Sequence, residues 1–317
     1  MQNDAQHEVR YMTITLEEDG QRLDNYLIRI LKGVPKSHVY RIVRSGEVRI
    51  NRKRAKPSDR VATGDAIRIP PIRSSQAKTV DPSVSLSACL LENIIYEDDR
   101  LLVLAKPVGL AVHGGSGLSL GVIEAMRQIR PDLAYLELVH RLDKETSGCL
   151  LLAKKRSMLR AIQALLETRE VQKTYWALLE GAWQGPKSRT VDVPLLKSTM
   201  QSGERIVVAS SMGKPSQTYF KVLENYPDAC WVEVLPKTGR THQIRVHSAQ
   251  IGHPILGDQK YGKVPIILPS LKGLRSRMYL HARAIQFTLN GQSYHFEADL
   301  DTTFSQALAQ LGKSQAP

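Results

Sequence analysis

The chain lacks the features that define several large classes of protein. Its three cysteines, Cys89, Cys149 and Cys230, are far apart in the 317-residue sequence and form no C-x-x-C pair. We therefore expect neither a disulfide framework nor a cysteine zinc site, and we expect the three thiols to be buried as apolar residues. No apolar run approaches the roughly 20 residues that a membrane helix needs, and the first residues lack the basic start and apolar core of a signal peptide. These absences predict a cytoplasmic protein without a membrane partner.

Motifs for cofactors, metals and serine hydrolases are missing as well. The glycine-rich stretch 107–117 lacks the Lys-Ser/Thr ending of a P-loop, so ATP binding has no support. His242 and His247 stand five residues apart with no acidic residue between them, which does not match the H-E-x-x-H zinc motif. The G-x-S-x-G nucleophile elbow does not occur in the sequence. We expect no cofactor and no metal.

Positive charge is abundant, and it is distributed unevenly. Of the formal net charge of +13, the segment 22–73 carries +10, from 14 basic and four acidic residues. Such a segment, attached to a nearly neutral body, is typical of a protein that binds a polyanion. The alternative is a solvated basic face that only aids solubility. The only aromatic residues of the segment are Tyr26 and Tyr40, which favours recognition of RNA shape over stacking on single-stranded bases.

The basic segment has the pattern of a small RNA-binding domain. Apolar spacing predicts one helix over 23–31 and a second from Ser37, followed by short strands on either side of a basic hairpin tip at 52–56. From Arg22 to Ile69 the sequence resembles the S4 RNA-binding domain. Cations on one face suit docking on phosphate backbones. The candidate RNA-binding residues here are Arg41, Arg44, Arg52, Lys53 and Arg54.

The stretch 137–154 is the strongest candidate for a reactive site. Two apolar runs that read as buried strands flank a polar loop, which places Asp143 and Glu145 against apolar surroundings. Asp143 is either a nucleophile or base, or half of an ion pair that holds the loop. A further alternative is glycoside hydrolysis, which needs two carboxylates about 5–9.5 Å apart. Asp143 and Glu145 would be that pair, although Glu145 is more simply paired with Lys144 or an arginine.

A reactive Asp143 needs a cationic partner. Burial alone favours the protonated carboxyl, which is not nucleophilic, and a guanidinium at hydrogen-bond distance opposes that effect. Arg141 is near in sequence, and Arg240 on a later turn is the other candidate. For Arg240, phosphate binding and a helix-terminus ion pair are the alternative interpretations.

The strand and helix pattern predicts the α+β class. Many strand signals and few βαβ alternations favour a mixed, mainly antiparallel sheet over a doubly wound fold. Ser, Pro, Gln, Asp and Thr predominate from Ser74 to Ser87, which is typical of a linker. We predict an S4-like domain at 18–80, a linker at 81–92 and a catalytic domain at 93–317.

Three motifs together resemble the RluA family of pseudouridine synthases. They are VHRLDKETSGCLLLAK, QKTYWALLEG and KTGRTHQIRVHSAQIGHPILGDQKYG. The stretches PLLKSTMQSGERIVV and GKPSQTYFKV are most similar to its RluC-type members, which modify large-subunit rRNA. The resemblance covers 18–298 and implies a pseudouridine synthase catalytic domain after the S4-like domain.

The resemblance also implies roles for single residues. Asp143 of H-R-L-D is the nucleophile, acting on the sugar or the ring, and Arg240 of G-R-T-H-Q keeps it ionised. Tyr175 of K-T-Y stacks on the target uracil and is a candidate for assisting proton removal from C5. Arg141 fills the space left by the flipped base, and His140 beside it is an expected RNA contact. Base flipping costs a few kcal/mol, which phosphate contacts and an aromatic platform offset.

The expected activity is isomerisation of specific uridines of 23S rRNA. The implied substrate is 23S rRNA or a large-subunit assembly intermediate, and the implied enzyme is a monomer that needs no cofactor. The alternative is a non-catalytic ribosome-assembly factor that binds rRNA through the S4-like domain. That alternative shares the basic segment but gives no reason for Asp143, Tyr175 and Arg240 to occur together.

Overall fold

The structure is a computed structural model. The residues that it describes are 8–31, 34–72, 82–114, 120–200, 204–262, 268, 271–274 and 276–313. They divide into two compact units, one up to residue 81 and one from residue 82 onwards. The last part of the glycine-rich stretch 107–117 lies outside the described residues.

The first unit packs two helices on a small antiparallel sheet. Leu23 and Leu27 of the first helix and Val39 and Ile42 of the second are fully buried, as the apolar spacing predicted. The strand order is β1-β4-β2-β3. Its elements are β1 (Arg10–Thr13), a 3-10 turn (Leu16–Glu18), α1 (Leu23–Ile30), α2 (Lys36–Arg44), β2 (Arg49–Ile50), β3 (Lys53–Arg54) and β4 (Ala66–Ile69).

The second unit is built on one large mixed sheet with helices packed against it. Its helices are α3 (Val84–Glu92), α4 (Val122–Ile129), α5 (Arg156–Thr168), α6 (Gln243–Gln250) and α7 (Thr302–Lys313). Its strands are β5 (Ile94–Glu97), β6 (Leu101–Lys106), β7 (Glu137–Leu138), β8 (Ser147–Ala153), β9 (Gln172–Glu180), β10 (Ser188–Asp192), β11 (Leu195–Thr199), β12 (Arg205–Ala209), β13 (Gln217–Asn225), β14 (Ala229–Pro236), β15 (Leu280–Leu289) and β16 (Gln292–Glu297).

The large sheet confirms the predicted α+β class. Its main path runs β10-β13-β14-β9-β15-β8-β6-β5, with β16 on β15 and β7 on β8. Neighbours are antiparallel except β15 and β8, which pair in parallel through His281–Ser147 and Ala282–Gly148. A side chain at Gly148 would meet the carbonyl oxygen of Ala282 at 2.2 Å. Gly148, with φ of +107°, therefore lets the two central strands approach each other.

The linker prediction was wrong for most of its length. Val84–Glu92 forms a helix, and the Ser83 hydroxyl caps it by accepting from the backbone N–H of Leu86 at 3.1 Å. The serines that suggested a flexible segment thus include a helix cap. Asp81, the first residue of the predicted linker, lies outside the described residues.

Two of the three cysteines are buried, as expected, and Cys89 is half-exposed. Within the described ranges, no helix is long and apolar enough to span a membrane.

Candidate active site

The loop between β7 and β8 carries Asp143 at the centre of the large sheet. Glu137 and Leu138 pair with Ala153 and Leu152, which confirms the predicted strand–loop–strand arrangement. The backbone N–H of Thr146 donates to the carbonyl of Asp143 at 3.1 Å and closes the turn. The Asp143 side chain remains 30% exposed. The carboxylate thus lies at the floor of an open site.

Arg245 is the cationic partner of this carboxylate. Its Nη1 lies 3.2 Å from Oδ2 of Asp143, while its Nε and Nη2 donate to both oxygens of Asp258 at 2.7 and 2.8 Å. Burial opposes the charge on Arg245, but the bonds and charges of Asp258 and Asp143 raise its pKa above the usual value. The pKa of Asp258 stays low because the Arg245 charge and backbone N–H donors outweigh its burial. One fixed guanidinium thereby holds Asp143 in position.

The predicted pairing of Arg240 with Asp143 was therefore wrong. Arg240 is exposed, and its Nε donates to the carbonyl of Pro215 at 3.3 Å. The buried amide of Gln243 fixes this turn, since its Oε1 accepts from the backbone N–H of Arg240 at 3.0 Å. Helix α6 begins only at Gln243. Arg240 thus precedes the helix and is exposed, whereas Arg245 lies within its buried part.

His242 is a further neighbour of Asp143 that the sequence reasoning assigned no role. It stands just before α6 with φ of +52°, and its Nε2 is 3.8 Å from Oδ2 of Asp143. Its Nδ1 is 2.7 Å from the hydroxyl of Tyr261, which accepts the backbone N–H of Val207 at 3.0 Å. The hydroxyl hydrogen is then free for Nδ1, which favours the tautomer with its proton on Nε2 facing Asp143. Burial lowers the pKa of His242.

Tyr175 lies on β9, between β14 and β15, and forms one wall of the site. It pairs in register with Val234 and Ala282 and is half-buried among apolar residues. Burial, and then the charge of Asp143, raise the pKa of its phenol above the usual value. The charge of Asp143 therefore reaches this ring, whose hydroxyl is protonated at neutral pH.

His140 and Arg141 both precede Asp143 on the loop, and they differ in exposure. The ring Nε2 of His140 accepts the backbone N–H of Leu151 at 3.2 Å. Burial and the nearby Lys173 lower the pKa of His140 to about 4, so at neutral pH the ring is uncharged and supports the loop. Its predicted contact with RNA stays a prediction. Arg141 is exposed at the rim of the site.

Lys106 is a buried residue that anchors the same loop. Its Nζ donates to the carbonyls of Pro107, Leu110 and Lys144 at 2.7, 2.8 and 3.2 Å. Burial lowers its pKa to about 7, against the opposing effect of nearby carboxylates that include Asp143. A lysine after an apolar strand gave no signal of this role, because the three carbonyls meet only in the fold.

The predicted RNA-binding residues of the first unit are all exposed. Arg41 and Arg44 lie on α2, and the Arg44 guanidinium is 5.8 Å from the ring centroid of Tyr40. Arg52, Lys53 and Arg54 lie on the β2–β3 hairpin. Their exposure leaves them accessible to a polyanion, as the prediction requires.

Neither histidine of the excluded zinc pattern has a free ring. Both nitrogens of His247 face protein oxygens, on Thr218 and Val193, at 2.8 and 3.0 Å. Within the described part of the chain, no three His, Cys, Asp or Glu residues group as metal ligands do.

Comparisons with known proteins follow the same division of the chain. Residues 100–250 match the RNA pseudouridylate synthase family model, and residues 21–67 match the S4 domain model. The chain is 50% identical to ribosomal large subunit pseudouridine synthase C of Yersinia pestis over 311 residues, which cover 96% of this chain and 97% of that protein. Identity to the same-named protein of Haemophilus influenzae is 49%, with 97% and 96% covered. The structure of human RNA pseudouridylate synthase domain containing 4 superposes with a TM-score of 0.61 at 30% identity, covering 72% of this chain and 96% of that one.

Proposed function

This chain belongs to the RNA pseudouridylate synthase family, and from that premise we propose that it converts uridines of large-subunit ribosomal RNA to pseudouridine with Asp143 as nucleophile. The observation that carries the assignment is the buried Asp258–Arg245–Asp143 chain of ion pairs. It supplies what a reactive carboxylate needs, namely a permanent charge held in one geometry beside an open site. The rRNA substrate follows the two relatives with about half of their sequence in common with this chain.

The reaction is an isomerisation that needs no net oxidant or energy source. The bond between C1′ of the ribose and N1 of uracil breaks, and a bond between C1′ and C5 forms. A proton leaves C5, and N1 gains one. Asp143 forms the transient bond to the target nucleotide, and Arg245 holds the carboxylate ionised and aimed.

Tyr175 serves as the platform on which the flipped uracil stacks. Its ring is half-buried beside Asp143, and aromatic stacking is worth about 1–3 kcal/mol per base. Because its pKa is raised by burial, the hydroxyl is a donor and a poor base. The role in removing the C5 proton therefore has less support than the stacking role.

Arg141 contributes from the rim of the site. A uridine inside folded RNA has to leave its stack before C1′ is accessible. The exposed guanidinium of Arg141 is two residues from Asp143, where it fills the space left by the base. The exposed cations of the S4 unit add sequence-independent contacts to RNA phosphates.

The proposal places the enzyme in the cytoplasm as a monomer that acts on rRNA or on an assembly intermediate. A non-catalytic assembly factor has less support, because it gives no use for a paired, half-exposed Asp143. Size-exclusion chromatography with light scattering tests the monomer.

Asp143→Asn tests the nucleophile. The change keeps the shape of the side chain but removes the charge, and we expect tritium release from 5-tritiated uridine in rRNA to fall on the order of 10⁴-fold or more. RNA affinity, measured by filter binding, should be retained because the exposed cations of the S4 unit are unchanged. Tritium release at the wild-type rate would exclude Asp143 as the nucleophile.

A further inference from the structure

A basic cleft of the catalytic unit has no role in the mechanism above. It has a volume of about 360 Å³ and lies where the end of α5, the start of β9 and the turn before α6 meet. Four cations and one carboxylate, Glu167, line it, together with the buried Thr238. We call this the cationic cleft. Its cations are Arg169, Lys173, Lys237 and Arg240.

Lys173 is the cation of the cationic cleft that is most shielded from water. It is half-buried, and this burial lowers its pKa. A side-chain carbon at Gly239 would lie 3.5 Å from its Nζ, so the ammonium group sits directly against the turn before α6. An ammonium group that loses water without gaining a carboxylate costs free energy. Among the described residues, none of the four cations forms an ion pair within 4.0 Å.

Capping of α5 explains only part of this arrangement. Arg169 ends that helix in the left-handed conformation, with φ of +66°, and a cation at a helix C-terminus is favourable. Lys173 and Lys237 lie on other elements, and the turn that Gln243 fixes directs Arg240 to the same place. Four cations from three parts of the chain around one cleft indicate a site that attracts an anion.

The cationic cleft lies beside the position of the target base. Lys173 and Tyr175 are two residues apart on β9 and so share one face of the strand, at a spacing of about 7 Å. The charge of Lys173 also reaches His140, which supports the loop of Asp143. An RNA strand that places a uracil on Tyr175 therefore passes the cationic cleft with a phosphate close to the target nucleotide.

We propose that the cationic cleft binds a backbone phosphate of the RNA next to the target uridine, with Arg240, Lys237 and Lys173 as its ligands. The proposal rests on the proposed function, since it takes RNA as the substrate. It gives Arg240 a substrate-binding role in place of the predicted pairing with Asp143. Phosphate contacts fix register and carry no sequence information, so the cleft positions the strand without choosing the uridine.

The test is the double variant Lys237→Gln/Arg240→Gln, assayed by tritium release at several salt concentrations. Both side chains are exposed, and thermal unfolding checks that the fold is retained. Losing two single-strand phosphate contacts should make the slope of log(kcat/KM) against log salt shallower by about 1.4 and lower kcat/KM about twentyfold at 0.1 M salt. The loss should appear in KM, and filter binding should show the same change in slope.

Two controls make the result specific. Arg189→Gln/Lys221→Gln removes the same charge from exposed positions on the neighbouring strands β10 and β13. Lys173→Arg keeps the charge inside the cleft, whereas Lys173→Gln removes it, so only the second should flatten the slope.

Each contrary result has a separate meaning. If the Arg189/Lys221 control lost as much kcat/KM and salt slope, the effect would come from net charge alone. The proposal that the cationic cleft binds a phosphate would then be wrong. An unchanged KM and salt slope in the Lys237/Arg240 variant would overturn it directly. Absence of tritium release by the wild-type protein would instead overturn the proposed function, and the filter-binding slopes would still decide whether the cleft contacts RNA.

Discussion

The S4 unit and the active site use arginine in opposite ways. Arg41 and Arg44 project into solvent from α2 and are available to phosphate groups. Arg245 is only 8% exposed, and its three side-chain nitrogens all donate to the carboxylates of Asp258 and Asp143. Exposed cations bind RNA through interactions that salt screens strongly, whereas a buried, paired cation is screened much less. Binding and chemistry in this protein should therefore differ in their response to salt.

The difference also appears in what surrounds each charge. Burial of Arg245 is tolerated because Asp258 compensates it with two short bonds, at 2.7 and 2.8 Å, and removing one partner of such a pair is strongly destabilising. An exposed arginine loses little when it has no partner. The buried arginine consequently fixes geometry, and the exposed ones provide adjustable affinity.

Replacing Arg245 should produce the largest effect on turnover after loss of Asp143 itself. In Arg245→Met, Asp143 loses its cation and Asp258 is left unpaired, so we expect kcat to fall on the order of a thousandfold and the thermal midpoint to drop. In Arg245→Lys, the charge is kept, but a single ammonium group cannot reproduce the planar guanidinium that donates to both carboxylates at once. Single-turnover tritium release below the unfolding temperature measures both variants.

The lysine variant separates charge from geometry. We expect Arg245→Lys to lie between wild type and Arg245→Met in kcat, with nearly unchanged salt dependence. If Arg245→Met retained wild-type kcat, Arg245 would only form a structural ion pair and would have no part in the chemistry.

The sequence predicted most of this fold because its strands and helices carry local signals. The strand–loop–strand arrangement around Asp143 follows apolar runs and turn residues. The helix α3 was missed because its serines resemble a linker, although Ser83 is its cap. Local patterns do not show whether a serine supports a helix or interrupts it.

The sequence put forward Arg141 and Arg240 as partners of Asp143 and missed Arg245, which only the structure identifies. Arg240 and Arg245 both stand in the motif G-R-T-H-Q-I-R-V-H, and the sequence does not show where the helix begins. Helix α6 starts after the left-handed His242, and its residues 243–248, Arg245 among them, are all buried. Asp258, thirteen residues further on, pairs with it only through tertiary contact. Helical phase and long-range pairing are properties that spacing alone leaves undetermined.

Removing S4 cations should weaken RNA binding without slowing the chemistry. For Arg41→Gln/Arg44→Gln, loss of two duplex phosphate contacts predicts a salt slope shallower by about 1.8 and a KM raised between about tenfold and a hundredfold at 0.1 M salt. The kcat at saturating RNA should be retained because these residues lie in the unit that lacks Asp143. The matched variant Arg41→Lys/Arg44→Lys keeps both charges and should keep the slope. A lowered kcat in the glutamine variant would show that the S4 unit takes part in the chemistry as well as in RNA binding.

The smallest expected effect concerns the half-buried His140 of the catalytic unit, whose behaviour contrasts with that of exposed charges. Its pKa is about 4 in the fold and about 6.5 in an unfolded chain. Between these values the unfolded state binds the extra proton, so the free energy of unfolding falls as pH falls from 6.5 to 4.

In His140→Gln the amide oxygen still accepts from Leu151, but the titrating group is gone. The thermal midpoint of this variant should therefore fall less over that pH range than that of the wild type, by about 5–10 °C. His242, His247 and His281, whose pKa values burial also lowers, remain in both proteins and cancel in the difference. Identical pH profiles would mean that His140 takes up its proton in the folded state, as a charged contact to RNA phosphates would require.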